Sequence, residues 1–185
     1  MSTDSAQLDG MTVGAGDHVC VFYRGEAERR RLLSDFLGAS VRAGTACLGI
    51  VGEDDQAWLR ESLGDTAENL TLESYPATYT HGGSFDRSHM LEYWRRWGAG
   101  VGPGARTASD MSWAEETFSS SVLDEFMAYE AESTACTREL SAIALCLYDL
   151  DRLGGHVIIP ALRAHPAVLV RGVLVRNPYC VQPAA

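Results

Sequence analysis

The sequence predicts a single α/β domain, a mostly parallel sheet with helices on both faces, closed by an antiparallel edge hairpin at its C-terminal end. Three observations lead there. Short apolar, β-rich runs alternate with stretches of helical period along the chain. The run from Ala142 to Tyr148 is continuously apolar, as a strand covered by helices on both faces must be. Val168 to Val175 divides into two strands about Arg171-Gly172. At 185 residues a chain buries roughly 70% of the surface its unfolded form exposes, so it needs no disulfide or metal to hold a core.

The elements follow in order. Met1 to Gly16 is small, polar and without periodicity, and reads as a flexible leader; the domain proper is expected over 17–185. His18 to Tyr23 is the first strand. Leu32, Leu33, Phe36, Leu37, Ser40 and Val41 repeat at helical spacing until Gly44. Ala46 to Val51 is a second strand, followed by the acidic turn Gly52-Glu53-Asp54-Asp55 and a helix holding Trp58, Leu59 and Leu63. Leu70 to Tyr75 reads as a third strand, and a helix from about Phe85 carries Met90, Tyr93, Trp94 and Trp97 up to a glycine-rich break over Gly98 to Gly104. Arg106 to Ser109 is a weak strand leading into Asp110-Met111-Ser112-Trp113. A helix behind the start signal Ser119-Ser120-Ser121 holds Val122, Leu123, Phe126, Met127 and Glu130. After the Ala142 to Tyr148 strand, Ile158 to His165 reads as a short helix with Pro160 in its first turn.

Composition excludes several chemistries. All 15 basic residues are arginine, so no lysine is present to form a Schiff base, act as a general base or reach the β and γ phosphates of a nucleotide. The formal net charge of −10 works against nonspecific nucleic-acid binding. The Arg29-Arg30-Arg31 cluster beside Glu26 and Glu28 reads as an ion-paired helix face, with an acidic partner as the alternative. No apolar stretch approaches the ~18–20 residues of a membrane span, and the first twenty residues lack a signal pattern, so a cytoplasmic location is expected. Cys20, Cys47, Cys136, Cys146 and Cys180 are odd in number and lack C-x-x-C spacing; reduced thiols are expected rather than a disulfide framework or a standard zinc site.

In an open α/β sheet ligands bind outside the carboxyl ends of the strands. Here those ends present Tyr23 and Arg24, Glu53 and Asp54, Tyr75, Asp110 with Trp113, and Tyr148 with Asp149. Tyr23, Arg24, Glu53, Asp110, Trp113, Tyr148 and Asp149, joined by Glu130, are the candidate ligand residues; the competing reading makes them turn residues and helix caps. The first strand-to-helix turn, Gly25-Glu26-Ala27-Glu28-Arg29-Arg30-Arg31, has one glycine, no lysine and no magnesium-binding hydroxyl, and its two glutamates sit where phosphates would. ATP turnover is not expected. His18 and Cys20 point to one face of their strand, with Cys146 on another central strand as a remote partner; they are candidate sensing residues, against the simpler reading of a hydrogen-bonded histidine and buried thiols. No G-x-S-x-G elbow or H-E-x-x-H occurs, no catalytic set is assigned, and no metal or cofactor is expected.

The chain resembles the MEDS family of sensory domains from methanogen and methylotroph regulators such as the dichloromethane regulator. The resemblance rests on Gly16-Asp17-His18-Val19-Cys20-Val21-Phe22-Tyr23, Gly44 before Cys47-Leu48, Asp110-Met111-Ser112-Trp113, Tyr129-Glu130, Leu145-Cys146-Leu147-Tyr148-Asp149, His165-Pro166 and Asn177-Pro178-Tyr179, in that order. It implies a RecA- and KaiC-like sheet with a degenerate phosphate loop, and a noncatalytic sensory module that binds a small hydrocarbon-like molecule. The signal would pass to a separate effector: a histidine kinase, an anti-sigma factor or a transcription regulator. Two alternatives stand beside it. One is a ligand-free interaction module, with a homodimer through Tyr93, Trp94 and Trp97; the other is a redox or metal sensor on His18, Cys20 and Cys146.

Overall fold

The computed structural model describes residues 5–8, 11–114 and 120–181. Two strands, β1 (Ser5–Leu8) and β2 (Met11–Gly14), precede β3 (His18–Tyr23). Helix α1 (Gly25–Leu33) continues through a wider π turn at Ser34–Gly38 into α2 (Ala39–Arg42). Then come β4 (Cys47–Ile50), α3 (Glu53–Leu63), β5 (Leu70–Glu73), α4 (Arg87–Val101), β6 (Arg106–Asp110), α5 (Ser120–Glu139), β7 (Ile143–Asp149), α6 (Gly155–Ala164), β8 (Ala167–Val170) and β9 (Val173–Arg176). None of the described helices is long and apolar enough to cross a membrane.

Seven strands form one sheet in the order β5-β4-β6-β7-β3-β8-β9, all neighbours parallel except the β8–β9 hairpin. The fold is therefore the α/β sheet with an edge hairpin that the alternating pattern predicts. The hairpin turns on Arg171 and Gly172, both with positive φ (49° and 71°), the geometry whose twist matches two antiparallel strands.

Strand periodicity divides the interior. Val19, Val21 and Tyr23 of β3, with Leu145 and Leu147 of β7, face Leu33, Phe36, Leu37 and Leu59 from α1, the π turn and α3. Cys20, Phe22, Cys146 and Tyr148 face the other way, onto Trp94, Phe126, Tyr129 and Val157 from α4, α5 and α6. The register pairs His18 with Ala144 and Cys20 with Cys146, so His18, Cys20 and Cys146 share this second, inner face. The chain steps from β3 to β4 to β5 toward one edge, then returns through β6, β7 and β8 toward the other. The connections after β4 and β6 diverge, leaving a crevice at their carboxyl ends.

Three expectations need correction. The presumed leader contains a hairpin, Ser5 opposite Gly14 through Leu8 opposite Met11. Leu8 and Val13 are fully buried in the α1-side core, and the Ser5 carbonyl accepts from Arg106 Nη2 at 2.9 Å. Helix α4 runs through Gly98 and Gly100 rather than breaking there, because Gly98 serves packing: a Cβ on it would lie 2.5 Å from Leu140 Cδ2 at the end of α5. Helix α6 begins at Gly155, which places Pro160 in its interior, on a helix held by buried Val157, Ala161 and Ala164. Of the serine start signal, Ser119 lies outside the described residues.

Candidate functional site

The carboxyl rim forms at the crevice. Tyr23, last in β3 and 1% exposed, donates its hydroxyl to Asp110 Oδ1 at 3.0 Å and lies 3.0 Å from Ser112 Oγ. The Ser112 amide also donates to Asp110 Oδ1, at 3.0 Å. Burial raises the Asp110 carboxyl above its ordinary range, against the opposing pull of Ser112, Arg29 and Tyr23; burial and the Asp110 charge likewise raise the Tyr23 phenol. Trp113 is buried and stacks on Tyr75, ring centroids 5.7 Å apart and 12° from parallel. Beyond them opens a hollow of ≈ 440 Å³ lined by Arg29, Glu53, Asp54, Tyr75, Asp110 and Trp113, among others. Its wall carries both signs of charge.

The first strand-to-helix turn has filled its own anion position. The Arg24 amide, at the N-cap of α1, donates to Glu28 Oε2 at 2.8 Å, and Glu26 pairs with Arg30 Nη1 at 2.6 Å. A carboxylate thus occupies the helix start where a phosphate would gain from the amides and the helix dipole. The neighbouring arginines are engaged as well. Arg29 Nε lies 2.6 Å from Asp55 Oδ2, and Arg30 Nε donates to Asp55 Oδ1 at 3.0 Å, clasping α1 to α3. Arg31 pairs within its own helix to Glu28 and reaches Asp35, so the ion-paired reading of the cluster describes the structure.

A second, apolar space lies behind the rim on the inner face. It is a cavity of about 30 Å³, walled by Tyr79, Trp94, Trp97 and Tyr129 and by the hydroxyl-bearing Thr107, Ser109, Ser133 and Thr137, with His18, Ala144 and Cys146 at its floor. Trp94 Nε1 donates to Tyr129 Oη at 2.5 Å and Tyr79 Oη donates to Ser109 Oγ at 3.2 Å, which fixes the ring positions. Since roughly 10–15 Å³ of such space holds one water, the cavity suits a molecule of two or three heavy atoms.

Against this cavity sits a buried polar cluster. His18 Nδ1 lies 3.0 Å from Thr134 Oγ1, and His18 Nε2 lies 3.3 Å from both Cys146 Sγ and Glu130 Oε2. His165, at the end of α6, places Nε2 3.2 Å from Glu130 Oε2 while its Nδ1 meets the Ala161 carbonyl at 2.7 Å. Burial and the nearby His165 push His18 down to about 4. Burial alone would raise Glu130, but the close approach of His165 and His18 outweighs it and brings the carboxyl to about 2. Burial and the Glu130 charge push the Cys20 and Cys146 thiols up.

The sequence-derived residues therefore divide. Glu53, Asp110 and Trp113 meet at the rim hollow, with Tyr23 holding Asp110 from behind. Arg24 is exposed and pairs with Asp151, while Asp149 caps the adjoining turn by accepting from the Asp151 amide at 2.9 Å. Glu130 and Tyr148 are not at the rim; both are 0% exposed on the inner face with His18, Cys20 and Cys146. Two members of the cluster were not identified as site residues from sequence. Thr134 follows Glu130 by one helical turn, a spacing that puts both on one face of α5. His165 carries a weaker signal, a histidine directly after the helix and before Pro166.

Fold and site together define a KaiC-like α/β domain whose first strand-to-helix turn in the sheet carries carboxylates. The chain is similar to a KaiC-like protein from the hyperthermophilic archaeon Pyrococcus horikoshii, with a TM-score of 0.59 over 87% of this chain and 73% of that one, at 9% identity. At that identity the likeness shows the fold alone. The chain belongs to the MEDS family, the methanogen/methylotroph, DcmR sensory domain, whose profile matches residues 17–166. No curated protein matches it.

Proposed function

We propose that this chain is a noncatalytic sensory domain that takes a small, hydrocarbon-like molecule into the cavity on its inner face and relays its presence to a separate effector protein. Family membership supplies the sensory role. The observation that carries the ligand reading is the cavity itself, with aromatic walls, a few hydroxyls and room for a molecule of very few heavy atoms. The carboxylates at the start of α1 support a departure from nucleotide chemistry. A ligand there touches α4, α5 and the sheet at once. Occupancy would thus favour one seating of α4 and α5 over another, and a differential affinity of that kind is what a sensor requires.

The rim hollow supports a second reading, because it is larger and lies at the position where open α/β sheets bind ligands. Its mixed charges suit a polar molecule rather than a hydrocarbon. One experiment separates the two. Thermal shifts are measured with a panel of short alcohols, ketones and halocarbons on the native protein, on Ala144→Val, which narrows the inner cavity, and on Trp113→Phe at the rim. The inner-cavity reading predicts a stabilising shift that Ala144→Val abolishes and Trp113→Phe keeps. The reverse pattern would move the ligand to the rim, and tight magnesium-dependent ATP binding in calorimetry would end the sensory reading of this scaffold.

A further inference from the structure

Four potential metal ligands from four different elements converge on the inner face: His18 from β3, Glu130 from α5, Cys146 from β7 and His165 from the end of α6, each buried. Their donor atoms all lie within 4.8 Å of one another. We propose that this cluster is a zinc site. A tetrahedral Zn²⁺ with bonds of about 2.0–2.3 Å to N, O and S ligands spaces its donors by about 3.3–3.7 Å. Four of the six donor pairs fall at this spacing: 3.3 Å from His18 Nε2 to Glu130 Oε2, 3.2 Å from His165 Nε2 to Glu130 Oε2, 3.3 Å from His18 Nε2 to Cys146 Sγ and 3.7 Å from Cys146 Sγ to Glu130 Oε2; the pairs of His165 with His18 and Cys146 lie within 4.8 Å and would close on the ion.

The outer contacts orient the rings for this role. A backbone carbonyl only accepts, so the contact with Ala161 keeps the proton of His165 on Nδ1, and a neutral ring then turns the lone pair of Nε2 toward the Glu130 carboxylate. Two acceptors facing each other need a cation between them, either a proton, which makes the ring an imidazolium, or a metal ion. His18 Nδ1 has Thr134 Oγ1 as its outer partner, leaving Nε2 on the cluster. Among the described residues, Glu130 Oε1, His165 Nε2 and Tyr148 Oη have no hydrogen-bond partner despite complete burial, a condition native interiors rarely tolerate. Zinc with one thiolate, one carboxylate and two neutral imidazoles sums to zero charge, which removes the cost of a lone buried carboxylate. His18 and Cys146 also line the small cavity, so the cluster borders open space inside the fold.

Binding is an acid–base exchange without redox. Zn²⁺ takes the Cys146 sulfur as thiolate, and the thiol proton leaves to solvent together with any proton held between His165 and Glu130. The proposal is independent of whether a small molecule enters the cavity. It is tested on the full chain, purified without a histidine tag and stripped with chelator, by titrating Co²⁺ and then displacing it with Zn²⁺. One equivalent is expected, with a thiolate-to-cobalt charge-transfer band and tetrahedral d–d bands. Since losing an outer partner of a metal ligand costs roughly 10–100-fold in affinity, Cys146→Ser, His165→Gln and Glu130→Gln should each weaken Zn²⁺ by more than about tenfold, and Cys146→Ser should erase the charge-transfer band. Cys20→Ser, on the same strand face but outside the set, should bind as the native protein does. Circular dichroism confirms that each variant is folded. Absence of a stoichiometric equivalent in the native protein, or equal affinity in all folded variants, overturns the proposal.

Discussion

Replacing Asp55 with alanine tests whether the arginines at the start of α1 are committed to the fold. Asp55 is 2% exposed, forms an ion pair with Arg29 Nε at 2.6 Å and accepts from Arg30 Nε at 3.0 Å, so the variant leaves two guanidinium groups without their shared carboxylate. Breaking a fully buried pair costs about 3–5 kcal/mol. Arg29 and Arg30 keep 16% and 26% of their side chains exposed and regain some water, and Arg30 keeps Glu26, which lowers the expected loss to about 2–3 kcal/mol. For a chain of this size that is a drop of roughly 4–12 °C in Tm. Urea and thermal denaturation followed by circular dichroism read it directly. Repeating the measurement at about 1 M salt, where screening removes exposed ion pairs, should preserve most of the difference. A loss below about 0.5 kcal/mol, the range of ordinary surface substitutions, would show that these arginines are solvated and available to an anion, and would refute the reading of this turn as a closed phosphate position.

Two further outcomes follow from the same geometry. Burial holds the Asp110 carboxyl above its ordinary value of 3.8, so its contribution to stability is greatest below that value and is lost as pH rises through the higher folded value. Asp110→Asn still accepts from Tyr23 and Ser112 through Oδ1 but cannot ionise; at neutral pH it should be at least as stable as the native protein, with the advantage vanishing in acid, and a variant weaker by more than about 1 kcal/mol at neutral pH would contradict the sign. Leu8→Ala should cost about 2–5 kcal/mol in urea unfolding because Leu8 is fully buried in the α1-side core, whereas a cost near zero would return β1 to the status of a loose leader.

The sheet was largely legible in the sequence because its central strands announce themselves. His18–Tyr23 is all β-branched, aromatic or cysteine apart from its leading histidine, and Ile143–Asp149 is apolar almost throughout, so burial on both faces is written into composition. The β1–β2 hairpin was not legible: four-residue strands such as Ser5-Ala6-Gln7-Leu8 carry too little pattern, and their order comes from distant partners, Arg106 and the α1-side core. The same physics divides the site. The rim residues Glu53, Asp110 and Trp113 could be placed together because strand ends of a parallel sheet share one edge. The inner cluster could not, since Glu130 reaches His18 only through the packing of α5 on the sheet, and His165 only through that of α6. Helical spacing shows which face a residue occupies but not what that face meets. Gly98 illustrates the limit: as sequence it reads as a break, and only Leu140 beside it reveals a close helix contact.

A crystal exposed to dibromomethane tests the central claim most directly, because bromine marks a bound small molecule by its anomalous scattering. The account predicts bromine density on the inner face, between Trp94, Tyr129 and Cys146. Density confined to the rim beside Trp113 and Asp110, or none at saturating dibromomethane, would contradict it.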